Sequence, residues 1–137
     1  MREEKNNSPL QFTELPVGFE FPKARYELTE NTVSKYLAAV EEGPDFMSLG
    51  VIPPLALGAF AMTAMSQTFT VPPGSIHASQ EFNFLKAVPV GTSIICTGKI
   101  ANKLARGKLN LITMEITVLN SKGEEVVTGK ATIAAPN

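Results

Sequence analysis

The residues that could perform acid–base chemistry are few in this sequence and lie far apart along it. The 137 residues include one histidine, His77, and one cysteine, Cys96. The only aspartate, Asp45, follows Gly43-Pro44 in a stretch of turn-forming residues. A general acid or base must lie within hydrogen-bond reach of the proton that it moves. Only the fold, or a second chain, could therefore bring such groups together.

For two of these residues, Asp45 and Cys96, the sequence allows a structural role as well as a chemical one. Asp45 could take a proton from water or orient it, although an aspartate after Gly-Pro also commonly bonds its own backbone in a turn. Cys96 lies among isoleucines and has no neighbouring base in the sequence, which predicts a buried packing thiol. We therefore keep Asp45 as a candidate catalytic residue and assign Cys96 to the core.

His77 is the second candidate catalytic residue, because histidine is the usual proton carrier near neutral pH. Strict alternation along a strand puts His77 on one face with Ser79 and Glu81, opposite Phe82 and Phe84. This phase predicts that His77 points to solvent or to a subunit contact. The alternative is a histidine that reaches a neighbouring subunit's site.

Three cations cluster around a predicted hairpin and could bind a multiply charged anion. They are Lys103, Arg106 and Lys108. Clustered cations suit phosphate groups, and ordinary solvation of a turn is the alternative. No metal site is expected, because a single histidine and a single cysteine cannot form a cluster of such ligands.

Two helices are predicted upstream of this region. After a strand over 17–28, Thr29 can cap a helix whose apolar residues Val33, Tyr36, Leu37 and Val40 recur at helical spacing. Pro53-Pro54 suit the first turn of a second helix, from Leu55 to about Phe69. This second helix is apolar on every side, which predicts that it is buried, and it is too short to span a membrane.

Four strand-like runs follow the second helix, at about 75–88, 92–104, 108–119 and 124–134. Short glycine-containing turns connect them, as hairpins require, so the sheet is predicted to be antiparallel. The order of elements predicts an α+β fold of the hotdog type, in which an antiparallel sheet wraps around a long buried central helix. A free strand edge then favours a dimer.

Composition excludes several classes of protein. Twelve basic and thirteen acidic residues give a net charge of −1, which provides no field for nucleic acid or an anionic membrane. The first residues, MREEKNNSPLQF, lack the apolar core of a signal peptide, so a cytoplasmic location is expected. We predict a flexible tail over 1–8 and a single domain over 9–137.

Three stretches resemble the MaoC-like hydratase and dehydratase family, especially its branch similar to the amino-terminal half of FAS1-type dehydratases. They are VIPPLALGAF at 51–60, HASQEFNFLKAVPVGTSI at 77–94 and VLNSKGEEVVTGKATIAAP at 118–136. The resemblance implies a hotdog protein that binds an acyl thioester of coenzyme A, or of an acyl carrier protein, and needs no further cofactor. It also implies a substrate-binding set beside the central helix, namely Val51, Ile52, Pro53, Pro54, Leu55 and Gly58.

The resemblance further implies the reaction, and here the sequence departs from the family pattern. Members that hydrate an enoyl thioester use an aspartate and, five residues later, a histidine. Asp45 matches the first, but Gly50 stands five residues on, and Pro53-Pro54 replace a common His-Gly pair. Three interpretations remain: a hydratase or dehydratase with Asp45 as its remaining acid or base, a non-catalytic acyl-CoA-binding subunit of a heteromer with a complete hotdog chain, and an acyl-CoA thioesterase.

Overall fold

The computed structural model describes residues 10–40 and 49–137. The predicted tail over 1–8 and the candidate Asp45 lie outside these residues. The described part contains two α-helices, a short 3-10 helix at Phe12–Glu14, and seven strands. The helices are α1 (Glu30–Ala39) and α2 (Pro54–Ser66), and the strands are β1 (Leu10–Gln11), β2 (Ala24–Glu27), β3 (Phe69–Thr70), β4 (Ile76–Phe84), β5 (Ser93–Arg106), β6 (Leu109–Leu119) and β7 (Glu125–Pro136).

The main sheet is antiparallel and has the strand order β2-β5-β6-β7-β4. The short strands β1 and β3 form a separate parallel pair. β5, β6 and β7 follow one another as hairpins, and β4 lies at one edge beside β7. The predicted α+β architecture, an antiparallel sheet with a helix against one face, is confirmed.

The first predicted helix is confirmed, and the strand before it is shorter than expected. The Thr29 hydroxyl accepts a hydrogen bond from the Thr32 amide (3.1 Å), so Thr29 is the N-cap of α1. The strand predicted over 17–28 is regular only in β2. Pro22 interrupts it, because proline cannot donate to the ladder. Upstream of it, single bonds such as Phe21 N to Gly98 O (2.8 Å) keep the chain beside β5.

The central helix is less enclosed in this single chain than the sequence predicts. α2 ends at Ser66, and its buried side includes Leu57, Ala61 and Met65. The opposite side is open, and Leu55 is 60% exposed. The prediction that little of α2 meets water is therefore wrong for one chain. The cause is geometric, since a five-stranded sheet covers a helix from one side only.

The two faces of the sheet differ in chemistry. The face toward α2 is apolar and includes Ile100, Met114 and Ile116. The outer face carries rows of polar side chains, and one row crosses four strands with alternating charge. Its members, each opposite the next in the strand register, are Lys99, Glu115, Lys130 and Glu81. Water can solvate this charged row, whereas Leu55 of α2 and Phe84 of β4 leave apolar surface open on the helix side.

Candidate functional site

The chain immediately before α2 is held against the loop that follows β4. The Val90 amide donates to Gly50 O (3.0 Å), and the Ile52 amide donates to Val88 O (2.7 Å). Val51 forms an antiparallel bridge with Pro89 between these two bonds. This short ladder fixes the direction in which the chain enters the helix.

The amino terminus of α2 offers a backbone donor and no side-chain cap. Pro53 precedes the helix, Pro54 is its first residue, and the Ala56 amide donates to Pro53 O (2.9 Å). Leu55 supplies the first amide of α2, because Pro53 and Pro54 have none, and the first amides of a helix have no acceptor within it. A free amide at the positive end of a helix dipole favours an oxygen that gains negative charge, such as a thioester carbonyl in an enolate-like state.

A cleft of about 250 Å³ opens beside this terminus, and we name it the helix-start cleft. It lies between the entry to α2 and the end of β4, and its walls are predominantly apolar. Its lining residues are Val51, Ile52, Pro54, Leu57, Phe84, Leu85, Lys86, Ala87 and Val88. Val51, Ile52 and Pro54 belong to the predicted substrate-binding set, whereas the wall from 84 to 88 was not anticipated as part of a site.

The other three predicted binding residues are placed differently. Pro53 is buried, and Leu55 points outward from the cleft. Gly58 lies under the ring of Phe82, since a Cβ at this position would lie 2.7 Å from two of its ring carbons. Gly58 therefore allows β4 to approach α2, and it does not line the helix-start cleft.

His77 lies on the opposite face of β4 from the one predicted. A β-bulge between His77 and Ser79 inserts Ala78, so strict alternation fails at this point. His77 is opposite Ile133 and Phe82 is opposite Gly129, on the same side of the sheet as α2. His77 and Phe82 thus share the helix side. The earlier phase, which put His77 with Ser79 and Glu81, is wrong because one extra residue shifts the pleat.

His77 has one side-chain partner and no acidic neighbour among the described residues. Its Nε2 lies 3.0 Å from Oε1 of Gln80, and both side chains are exposed. Phe84, at the other end of β4, lines the helix-start cleft. Six residues of extended strand separate His77 from Phe84, which puts the two roughly 20 Å apart, so His77 cannot reach the cleft of its own chain.

The predicted cation cluster is split by the structure. Lys103 Nζ donates to the backbone oxygens of Thr13 (2.8 Å) and Leu15 (3.0 Å), which commits its charge to the chain's own N-terminal segment. Arg106 and Lys108 flank the exposed β5–β6 turn. That turn lies at the end of the sheet where β4 begins, away from the helix-start cleft. Lys103 is therefore a structural cation rather than a free phosphate ligand.

The cysteine has the buried role predicted for it. Cys96 is fully buried, and burial raises the pKa of its thiol to about 12. Tyr26 lies nearby with its ring 5.1 Å from that of Phe60 on α2, and burial, followed by the charge of Cys96, raises the pKa of its phenol. Neither group is activated as a nucleophile or base.

One ionic network borders the helix-start cleft and was missed by sequence reasoning. Lys86, part of the cleft wall, donates to Glu124 (2.8 Å), and Asn120 donates to the same carboxylate (2.9 Å). These hydrogen bonds lower the pKa of Glu124. The residues are 38 positions apart, so only the adjacency of β4 and β7 brings them together. The network ties the cleft wall to the β6–β7 turn.

Other sites are not supported in the part of the chain that the structure describes. A more open recess of about 400 Å³ lies on the outer face of the sheet, with Lys99 and Glu115 in its mixed-charge lining, and it contains none of the predicted site residues. No group of three His, Cys, Asp or Glu residues within 10–40 and 49–137 could hold a metal ion. No helix in those ranges is long and apolar enough to cross a membrane.

Comparison with known families connects this geometry to a class of protein. The model of a family described as "FAS1-like, dehydratase domain region" matches residues 16–129. The chain belongs to this family. The match includes α1, the entry to α2 and the strands of the main sheet as far as Gly129. The resemblance to hydratases and dehydratases of the MaoC-like type is therefore confirmed.

Solved structures agree on the fold. The (R)-hydratase PhaJ1 from Pseudomonas aeruginosa is 23% identical, with a TM-score of 0.74 over 94% of this chain and 87% of that one. A MaoC-like dehydratase from Rhodospirillum rubrum is 15% identical, with a TM-score of 0.72 over 93% and 97%. The HadBC (3R)-hydroxyacyl-ACP dehydratase complex from Mycobacterium tuberculosis is 20% identical, with a TM-score of 0.70 over 87% and 96%.

These identities show a shared hotdog fold and leave the chemistry to be argued from the site. No curated protein sequence matches this chain significantly. The site combines the helix-start cleft with the amino terminus of α2 beside it, and the single histidine lies elsewhere on β4.

Proposed function

We propose that this protein binds an acyl thioester of coenzyme A in the helix-start cleft and is not a complete hydratase by itself. The cleft has the apolar walls that an acyl chain requires. The Leu55 amide, which follows Pro54 of the cleft wall, can donate to the thioester oxygen. Membership of the dehydratase family supports the substrate class.

The observation that carries the proposal is the absence of an imidazole at the entry to α2. The chain has one histidine, and it lies roughly 20 Å along β4 from the residues that line the cleft. Water addition needs one group that takes a proton and another that gives one, both at the same site. Asp45 alone supplies one of the two roles.

The catalytic pair then comes from another chain. β4 is an edge strand with eight of its nine residues exposed, and the open side of α2 lies on the same side of the sheet. A complete hotdog chain paired with this edge would cover both. HadBC is a complex of two kinds of chain with dehydratase activity, which supports this arrangement by analogy.

The same pairing gives a role to Arg106 and Lys108. Antiparallel pairing of two β4 strands brings the end of the sheet where β4 begins, with its Arg106 and Lys108, toward the partner's helix-start cleft. There the two cations could meet the phosphates of coenzyme A or of a phosphopantetheine arm. When no complete chain is present, a second copy takes the partner's place.

The first test is thioester binding by the purified protein. We expect butyryl-CoA to bind, and Leu85→Glu to weaken binding at least about 10-fold, because a carboxylate in an apolar cleft is costly and repels an anionic ligand. Leu85 is 53% exposed, so the change is tolerated by the fold. Val17→Glu is the matched control, since Val17 is 58% exposed in a turn beside β5, away from β4 and from the cations of the β5–β6 turn. Equal affinities of the two variants, measured calorimetrically, would contradict the site.

The second test is turnover. Loss of absorbance of the conjugated thioester in crotonyl-CoA should be slow or absent with this protein alone, and should appear when a hotdog chain with an intact Asp/His pair is co-purified with it. Rapid hydration by the lone chain that disappears in Asp45→Asn would show a complete enzyme instead.

A further inference from the structure

The side-chain amide of Gln80 is oriented by the backbone around it. Its nitrogen lies 3.1 Å from Lys130 O and 3.3 Å from Glu81 O. Carbonyl oxygens only accept hydrogen bonds, so the NH₂ group must face them. The amide oxygen of Gln80 is then the atom that points toward His77, at 3.0 Å from Nε2.

This orientation selects one tautomer of His77. An amide oxygen only accepts, so Nε2 must carry the hydrogen that is donated to Gln80. In the neutral ring Nδ1 is then an unprotonated acceptor. The β-bulge at Ala78 turns the imidazole to the helix side of the sheet, where a ligand beside α2 would lie.

The edge formed by β4 suits pairing with a second copy of this chain. Exposed apolar residues lie at both ends of the strand, Ile76 (61% exposed) and Phe84 (44% exposed). Glu81 is the one residue of β4 with a permanent charge, and antiparallel pairing about the midpoint Gln80 puts it opposite Ser79 of the partner subunit, so no like charges meet. A twofold axis perpendicular to the sheet keeps both helices on one side.

Antiparallel pairing brings the start of one β4 beside the end of the other. His77 then lies within two residues of the other chain's Phe84, which lines that chain's helix-start cleft. We propose that His77, held by Gln80, supplies the Nδ1 acceptor in trans to a ligand in the helix-start cleft of a second copy. The proposal rests on the proposed function, because it needs a thioester in that cleft.

The group recognised is an amide N–H of the pantetheine arm, which coenzyme A and acyl carrier proteins share. An acyl chain has no donor, and the thioester oxygen only accepts, so the amides are the donors nearest to the thioester. His77 is thus a binding residue, and Gln80 is its positioning residue.

The first experiment observes the tautomer. The chain has a single histidine, so ¹⁵N–¹H correlation spectra of the intact protein contain one imidazole. We expect the Nε2–H form of His77 in the wild type and a mixture in Gln80→Leu. A pure Nδ1–H form in the wild type would overturn the proposal.

The second experiment tests the geometry in trans. His77→Cys combined with Phe84→Cys should give a covalent dimer with a bismaleimide too short to join the two positions within one chain. His77→Cys combined with Leu104→Cys is the control and should not. Cys96 is buried and stays unreactive. A wild-type protein that sediments as a monomer, or a double variant that does not cross-link, would overturn the proposal while leaving thioester binding intact.

The third experiment measures affinity. Loss of one hydrogen bond in His77→Leu should weaken butyryl-CoA binding about 3- to 10-fold, with dimerisation retained. Ser79→Ala, on the other face of the same strand, should bind like the wild type. Equal affinity of His77→Leu and wild type would overturn the inference alone, whereas no binding by the wild type would overturn both the inference and the proposed function.

Discussion

At Ala78, a single additional residue in β4 decides which side of the sheet carries the histidine. The bulge places His77 beside Gln80 and on the side of α2, while Ser79 and Glu81 stay on the polar outer face. Bulges commonly redirect one side chain at the edge of a sheet. The consequence is chemical, because alternation puts the imidazole on the face of Ser79 and Glu81, whereas the bulge puts it on the side of α2.

Reactivity of the single thiol provides a test at the same scale. Burial raises the pKa of Cys96 to about 12, so at pH 8 we expect iodoacetamide to label the native protein at least about 100-fold more slowly than the unfolded chain. The measurement is mass spectrometry with and without denaturant. The pKa of Cys96 is higher in the folded protein than in the unfolded chain, so the neutral thiol's contribution to folding stability is complete below the unfolded pKa. That contribution is lost as pH rises toward 12. Rapid native labelling would show that Cys96 is not buried.

The packing of β4 against α2 and β7 depends on two glycines that contact the same aromatic ring. Phe82 contacts Gly58 of α2 and Gly129 of β7, and a Cβ at either position would overlap its ring. The edge strand, the helix and the neighbouring strand are thereby held at close distance. Because Phe84 lines the helix-start cleft from the same strand, this attachment also fixes one wall of the site.

Gly129→Ala tests this attachment at the scale of the element. Its Cβ would lie 2.6 Å from Glu81 O and 2.8 Å from the ring of Phe82, and the backbone oxygen cannot move without disturbing the β4–β7 ladder. We expect the free energy of unfolding to fall by about 1–3 kcal/mol in urea titrations. Thr128→Ala, the neighbouring residue on the outer face, is the control. An unchanged midpoint for Gly129→Ala would mean that β4 is not closely packed here.

At the scale of the molecule, one chain leaves apolar surface open on the side of the sheet that carries α2. There α2 exposes Leu55 and β4 exposes Phe84, whereas the middle of the outer face carries the charged row from Lys99 to Glu81. A second hotdog chain would cover both, and it would bring another chain's residues to each helix-start cleft. We therefore expect completeness of the site to depend on the assembly rather than on the monomer.

Lys103 tests how the N-terminal segment is joined to the whole. Its ammonium group bonds the oxygens of Thr13 and Leu15, next to the fully buried Phe12. Lys103→Met should lower the free energy of unfolding by about 1–2 kcal/mol, since two part-buried carbonyls lose a charged donor. Lys108→Met, on the exposed turn, should have little effect. Similar decreases in the free energy of unfolding of both variants would show that the change in net charge, and not the loss of these two hydrogen bonds, is responsible.

The sequence by itself determined the architecture and part of the site. Periodicity and caps predict α1, the entry to α2 through Pro53-Pro54, and the three hairpin strands, because these depend on contacts between near neighbours in the chain. Counting residues also predicts that an intact Asp/His pair cannot form at the entry to α2, since the only imidazole is at His77.

Tertiary structure decided what local pattern cannot encode. The bulge at Ala78 reverses the phase of His77, Lys103 is occupied by carbonyls about 90 residues away, and Phe82 fills the space above Gly58. Each outcome depends on which distant segment packs against the residue. Side-chain alternation and residue type predict which residues of a strand share a face. Only the register with β7 and the approach of α2 determine whether that face points to the helix or to solvent, and which side chains it contacts.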